Sequence, residues 1–226
     1  VFVVVFGQGK VEMLEEGAGP ATTAPPYAVM LLCGLIFWQY LAAALIGATQ
    51  SLVNNQHLVT KVYFTREVIP LAAVFFPLVN RAIGLALLLV VHGIFGGAFG
   101  FALLYLPLLF CIQLMMTAGL GLLFSAGHVH FRDIGNLVLV ALTLGFYGTP
   151  NFYELSFVAD RVDPALLQLY LLNPMAGLVT AYRQVLFELR FPDWWTLAWP
   201  GVFALLSLGI GAFVFRRCAP TLSDHL

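Results

Sequence analysis

Residues 27–50 read YAVMLLCGLIFWQYLAAALIGATQ, a run without a single charged residue. A membrane-crossing helix needs about 20 predominantly apolar residues, and this run is long enough. The rest of the chain has the same character. Of its 226 residues, 61% are hydrophobic and 9% are charged, and the mean hydropathy is +0.94. An ordinary soluble domain carries about 25% charged residues. A soluble domain of this length has too little polar surface to cover so much apolar matter. The expected class is an all-α integral membrane protein. Composition excludes a disordered, collagen-like or disulfide-stapled secreted chain. The net charge of −1 supplies no basic field for nucleic acid.

Working outward from 27–50, further apolar stretches cover 69–91, 101–125, 134–149 and 194–215. The stretch 69–91 is interrupted by Pro77 and by Asn80-Arg81. The chain opens on Val1, and its apolar stub 1–6 is too short to cross and lacks the parts of a signal peptide. The stub is expected to be the end of a first span. With it, 1–226 reads as a single transmembrane domain of six spans. Alternation then puts 54–67, 126–133 and the tail on one side, with Lys61, Arg66, Arg132, Arg216 and Arg217. The other side receives 7–26, 92–100 and 151–193. These hold Lys10, Arg161, Arg183 and Arg190 among Glu12, Glu15, Glu16, Glu154, Asp160, Asp163, Glu188 and Asp193. Loops rich in Lys and Arg stay cytoplasmic, so the first set and the C-terminus are expected inside.

The region 151–193 is too polar for a plain span. It contains two segments with apolar faces, 164–177 and 178–189, the second carrying Leu178, Ala181, Tyr182, Val185, Leu186 and Leu189 at spacings of three and four. They read as amphipathic or re-entrant helices broken at Asn173-Pro174, lying near the outer surface as a gate. Aromatic residues concentrate there. Phe152, Tyr153 and Tyr170 are candidates for stacking on sugar rings, while Trp194 and Trp195 at a span end read as interfacial belt.

No motif of catalysis or nucleotide binding is present. Gly7-Gln8-Gly9-Lys10 has neither the spacing nor the hydroxyl residue of a phosphate loop. His128 and His130 have no third ligand nearby in sequence. Cys33, Cys111 and Cys218 suggest no pairing. The pairs Gly93/Gly97 and Gly96/Gly100 fall in an expected outer turn and read as a flexible hairpin. Arg81 stands apart. It lies eleven residues past Pro70, about 16 Å along a helix and so near mid-membrane. A charge there costs about 2.5–3.5 kcal/mol on insertion scales, so it must face the bundle or water. Two readings stand: structural pairing with Asn80, Gln113 or a backbone carbonyl, or a cation lining the path of an anionic pyrophosphate or acidic sugar.

Three stretches in order resemble one family. They are SLVNNQHLVTKVYFTREVIPLA at 51–72, Phe131-Arg132-Asp133 in a short loop, and Leu172-Asn173-Pro174-Met175 followed by Tyr182-Arg183. Pro150 ahead of Tyr153 also fits. The resemblance is to the membrane subunits of ABC-2-type polysaccharide exporters, which move O-antigen, teichoic acid or capsule. It implies a six-helix transmembrane domain preceded by an amphipathic helix, a homodimer in the bacterial cytoplasmic (inner) membrane, and two ATP-hydrolysing partner subunits. ATP and Mg would be bound by those partners, and this chain would hold no cofactor or metal. The loop 54–67 would couple to the ATPase through Lys61, Arg66 and Glu67, anchored by Tyr63 and Phe64, with Arg132 and Asp133 in support. The gate or path would involve Phe152, Tyr153, Tyr170, Asn173, Pro174, Tyr182 and Arg183; Arg81, which is not part of the family's pattern, joins them as a path candidate from its depth alone. Thr65 stands where the family usually has proline.

The function expected is therefore a permease for a lipid-linked polysaccharide. The alternatives are an ABC-2 exporter of a small lipid or drug, a membrane-embedded transferase using 128–133, and a secondary transporter. The last two lack, respectively, a general base set in a cavity and intramembrane carboxylates with internal repeats.

Overall fold

The computed structural model describes residues 27–57, 65–152 and 170–219. These form helices α1 (Tyr27–Asn54), α2 (Val68–Phe75), α3 (Leu78–Ile94), α4 (Leu106–His130), α5 (Ile134–Tyr147), α6 (Pro174–Leu186) and α7 (Trp194–Cys218), with a 3-10 turn at Phe101–Tyr105. The architecture is all-helical among the described residues. Four stretches are long and apolar enough to cross a membrane: Tyr27–Asn54, Val68–Ile94, Phe101–His130 and Trp194–Cys218.

The stretch 134–149 departs from its expectation as a complete span. Its helix has 14 residues, about 21 Å of rise against a hydrocarbon core about 30 Å thick. The reason is local. Pro150 disfavours helical backbone at Thr149, and Gly148 closes the helix. The expected break inside 69–91 falls at Pro77, which has no N–H for the α2 ladder and caps the start of α3.

One end of the bundle is defined by a small apolar cluster. Leu52 from α1, Leu122, Ala126 and Val129 from α4, and Phe215 from α7 meet there, with Ile69 and Leu71 from the start of α2. The helices α1, α4 and α7 therefore run in the same direction. Residues 65–67, the turn 131–133 and the end of α7 share this basic end, as the alternation of spans requires.

The main core fills the middle of the bundle, drawing Phe37, Leu41, Leu88, Leu109, Met116, Leu178, Tyr182 and Ala204 together. Helices α4 and α7 cross with backbones in contact. A Cβ added to Gly211 would overlap the Gly119 carbonyl, and one added to Gly119 would overlap the backbone at Ser207. Ser207 and Gly211 are a small-xxx-small pair, the spacing that lets membrane helices approach closely.

Helix α6 is enclosed rather than laid on the bundle. Of its 13 residues, Met175, Ala176, Leu178, Val179 and the whole run Ala181 to Leu186 are buried. The expected second amphipathic segment, 178–189, thus starts earlier, at Pro174, and ends by Leu186. Its polar residues face protein because neighbouring helices cover both sides. Of the expected first segment, 164–169 lie outside the described residues; Tyr170 and Leu171 are helical, the chain turns at Leu172, and Pro174–Gly177 form the first turn of α6.

Candidate functional site

Three polar sites interrupt this apolar bundle, and each gathers residues that stood out in the sequence. The deepest surrounds Arg81 on α3, which is 3% exposed. Its guanidinium donates to Gln113 Oε1 on α4 at 2.6 Å and to the Tyr182 hydroxyl on α6 at 2.5 Å. Tyr182 in turn donates to Gln113 Oε1 at 3.2 Å. The Gln113 amide donates to the Phe37 carbonyl of α1 at 2.9 Å. Four helices are thereby joined through one hydrogen-bonded triangle.

Aromatic rings complete the site. The guanidinium carbon lies 4.4 Å from the Phe110 ring centre, 4.8 Å from those of Phe37 and Tyr40, and 5.5 Å from that of Tyr182. Phe37 and Tyr182 stack at 3.5 Å with their planes 6° apart. Among the described residues the ion pairs are Glu188–Arg190 and Glu67–Arg216, so no carboxylate neutralises Arg81. Ring faces and oxygen acceptors do so instead. A desolvated cation–π contact contributes about 2 kcal/mol or more, enough to offset much of the cost of placing the charge there. Of the three partners named for Arg81 from sequence, it finds Gln113. Asn80, the next residue on α3, is exposed.

The second site is the junction of α5 and α6. Because α5 stops short, its last carbonyls would be left unpaired inside the bundle, which is costly away from water. Side chains meet them. The Asn151 amide donates to the Phe146 carbonyl at 2.9 Å, Thr149 donates to Gly145 at 2.8 Å, and the Asn173 amide donates to Gly148 at 2.9 Å. Asn173 also caps α6 by accepting from the Met175 N–H at 3.0 Å, with Pro174 fitting the first turn where no N–H is needed. Arg183, buried one position beyond Tyr182, donates to the Asn151 carbonyl at 3.0 Å. The Tyr27 hydroxyl donates to the Phe152 carbonyl at 2.8 Å.

Below this junction an apolar cavity of about 170 Å³ is lined by Trp38, Met116, Val138, Leu142, Pro174 and Phe203, among others.

The third site is the basic end. Arg66 donates to the Ala219 carbonyl, and Glu67 accepts from Arg216 Nε at 3.0 Å. The start of α2 is thus held to the end of α7 around a cavity of about 570 Å³. Arg132 and Asp133 are exposed in the adjoining turn.

The residues picked out from sequence therefore fall into separate groups. Arg66, Glu67, Arg132 and Asp133 share the basic end. Arg81 and Tyr182 touch each other. Phe152, Asn173, Pro174 and Arg183 build the α5–α6 junction. Tyr170 is half-buried just before α6. Lys61, Tyr63, Phe64 and Tyr153 lie outside the described residues. Phe37, Tyr40, Phe110, Thr149 and Asn151 were not reached by sequence reasoning. Asn151 carried one signal, a polar residue directly after the proline that ends an apolar run. The aromatic rings around Arg81 carried none that sets them apart from core.

The sequence has similar counterparts among curated proteins. The chain is 32% identical over 169 residues, 75% of its own length, to the O-antigen export system permease protein RfbA of Myxococcus xanthus. The chain is similar to the O-antigen export permeases. Two Klebsiella pneumoniae proteins of the same name are 26% and 25% identical over 162 residues, 71% of this chain. The match spans 64% of the Myxococcus protein and 61% of each Klebsiella protein. No family model matches the chain. The likeness to these permeases agrees with a multi-pass membrane bundle, and Arg66, Glu67, Arg132, Asp133, Asn173, Pro174 and Arg183 fall on the segments that carried the family resemblance.

Proposed function

We propose that the chain is the permease subunit of an ATP-driven exporter of a lipid-linked surface polysaccharide. It would work as a homodimer in the bacterial cytoplasmic membrane, with its C-terminus in the cytoplasm and two ATPase subunits on that face. The observation that carries this reading is the similarity to O-antigen export permeases across three quarters of the chain. The fold supports it. The start of α2 and the end of α7 share one end of the bundle, the end richest in arginine, where an ATPase would dock.

In this mechanism ATP and Mg belong to the partner, and this chain supplies the path and the linkage. Segment 54–67 receives the motor's stroke. Arg66 and Glu67 are already braced by α7, so a push there moves α2 and α7 together. Arg132 and Asp133 are exposed at the same end of the bundle and would complete the docking face. At the other end, α6 and the α5–α6 junction control the exit, with Phe152, Tyr153 and Tyr170 offering ring faces to sugars. Arg81 serves as a structural tie within the subunit.

The test is purification of the tagged subunit from a strain expressing its own neighbouring genes. The expected result is recovery with an ATP-hydrolysing protein, no ATPase activity in the isolated subunit, and loss of surface glycan on deletion. Unaltered surface glycan after deletion overturns the reading.

A further inference from the structure

Arg81 sits on a helix that begins, one break earlier, at the basic end. The stretch Val68–Ile94 is one span in length but two helices in structure, parted at Pro77. Proline removes the N–H that would bond the α2 ladder, and breaks of this kind are where membrane helices bend. The lower half, α2, starts beside Glu67 and is buried at Pro70 and Val74. The upper half, α3, is largely exposed along Val79, Ile83, Leu87 and Val90 and buries only Arg81, Leu88 and His92. It meets α6 through the Arg81–Tyr182 hydrogen bond, and its His92 ring packs on Phe187 at the C-terminal cap of α6, 5.4 Å between centres. Arg81 also holds Gln113 on α4, and a planar guanidinium makes both bonds in fixed directions.

An apolar side chain at 81 would insert in the membrane at lower cost. What a guanidinium adds is a directional link between α3 and α6 that a greasy contact does not provide. We propose that Arg81 is a positioning residue for transport: it clasps α3 to α6 through Tyr182, so that displacement of α2 at the basic end, pivoting at Pro77, is delivered to α6. This rests on the function proposed above and assigns within it the element that joins motor and exit.

The experiment uses the complete complex with its ATPase, reconstituted in vesicles, and reads ATP hydrolysed per lipid-linked glycan moved. Tyr182→Phe removes one hydroxyl and keeps the ring stacked on Phe37. Arg81→Lys keeps the charge and loses the paired donors. Both variants are expected at wild-type amounts with wild-type ATPase activity, while the ATP used per glycan rises about tenfold, the scale of a lost coupling contact. A purely structural role would change the amount of complex and leave that ratio alone. A wild-type ratio in both variants overturns the clasp, and so does disappearance of both from the membrane. Absence of glycan movement by the wild-type complex instead overturns the functional reading, and the transport role of the clasp with it.

Discussion

The Asn173 side-chain amide donates to the Gly148 carbonyl at 2.9 Å, while its own oxygen accepts from the Met175 N–H at 3.0 Å. One residue thus ends α5 and begins α6. Asn173→Ala is expected to lower stability by about 2 kcal/mol, combining a lost cap with an unpaired buried carbonyl. Asn173→Ser keeps the cap and should fall in between. Thermal unfolding of the detergent-solubilised subunit measures both, and an unchanged transition for Asn173→Ala refutes the dual role.

The α4–α7 crossing makes a positional prediction. Gly211 has no room for a side chain, whereas nothing lies within 4 Å of a Cβ placed on Gly209. Gly211→Leu should force the helices apart and cost about 1–3 kcal/mol. Gly209→Leu should be tolerated. Comparison of the fraction surviving heat treatment separates them, and equal survival would place the crossing elsewhere.

Glu67 and Arg216 form an exposed ion pair, and such a pair contributes about 0–1 kcal/mol to stability. Glu67→Lys should therefore leave the subunit in the membrane. If Glu67 docks the ATPase, export should still fall. Combining Glu67→Lys with Arg216→Glu restores an ion pair of reversed polarity but should not restore export. Normal export in the single variant refutes the coupling role, and full rescue in the double variant assigns the effect to the ion pair.

Arg183 reaches the Asn151 carbonyl from the next helix. Arg183→Met leaves that carbonyl without this donor, and a loss of about 1–3 kcal/mol is expected. Arg183→Lys, which retains a donor, should lose less. Denaturation midpoints of the two variants test the order.

Much of this was legible in the sequence. The runs 27–50, 101–125 and 194–215 had to become helices, because only internally bonded backbone survives in hydrocarbon. The break near Pro77 was legible because proline lacks an N–H. The shared side of 65–67 and the tail followed from alternation. That 134–149 is a shorter run ending at Pro150 was legible; that its 14-residue helix falls short of the membrane thickness was not drawn, because an apolar run ending in proline resembles a span until its residues are counted against that thickness. Nor was the enclosure of α6. A stripe of Leu178, Ala181, Tyr182, Val185 and Leu186 states that one face is buried, and says nothing of what covers the other.

Arg81 shows the division most clearly. By itself the sequence determined that a cation lay at membrane depth and that it had to face inward, because desolvating a charge against lipid is too costly. Gln113 was legible as a partner, being a lone amide in an apolar helix. That the charge would rest among Phe37, Tyr40, Phe110 and Tyr182 was decided only by tertiary structure. Those rings come from three helices, and their quadrupoles bind a cation only where packing turns their faces toward it, a matter of orientation that no spacing along one chain encodes.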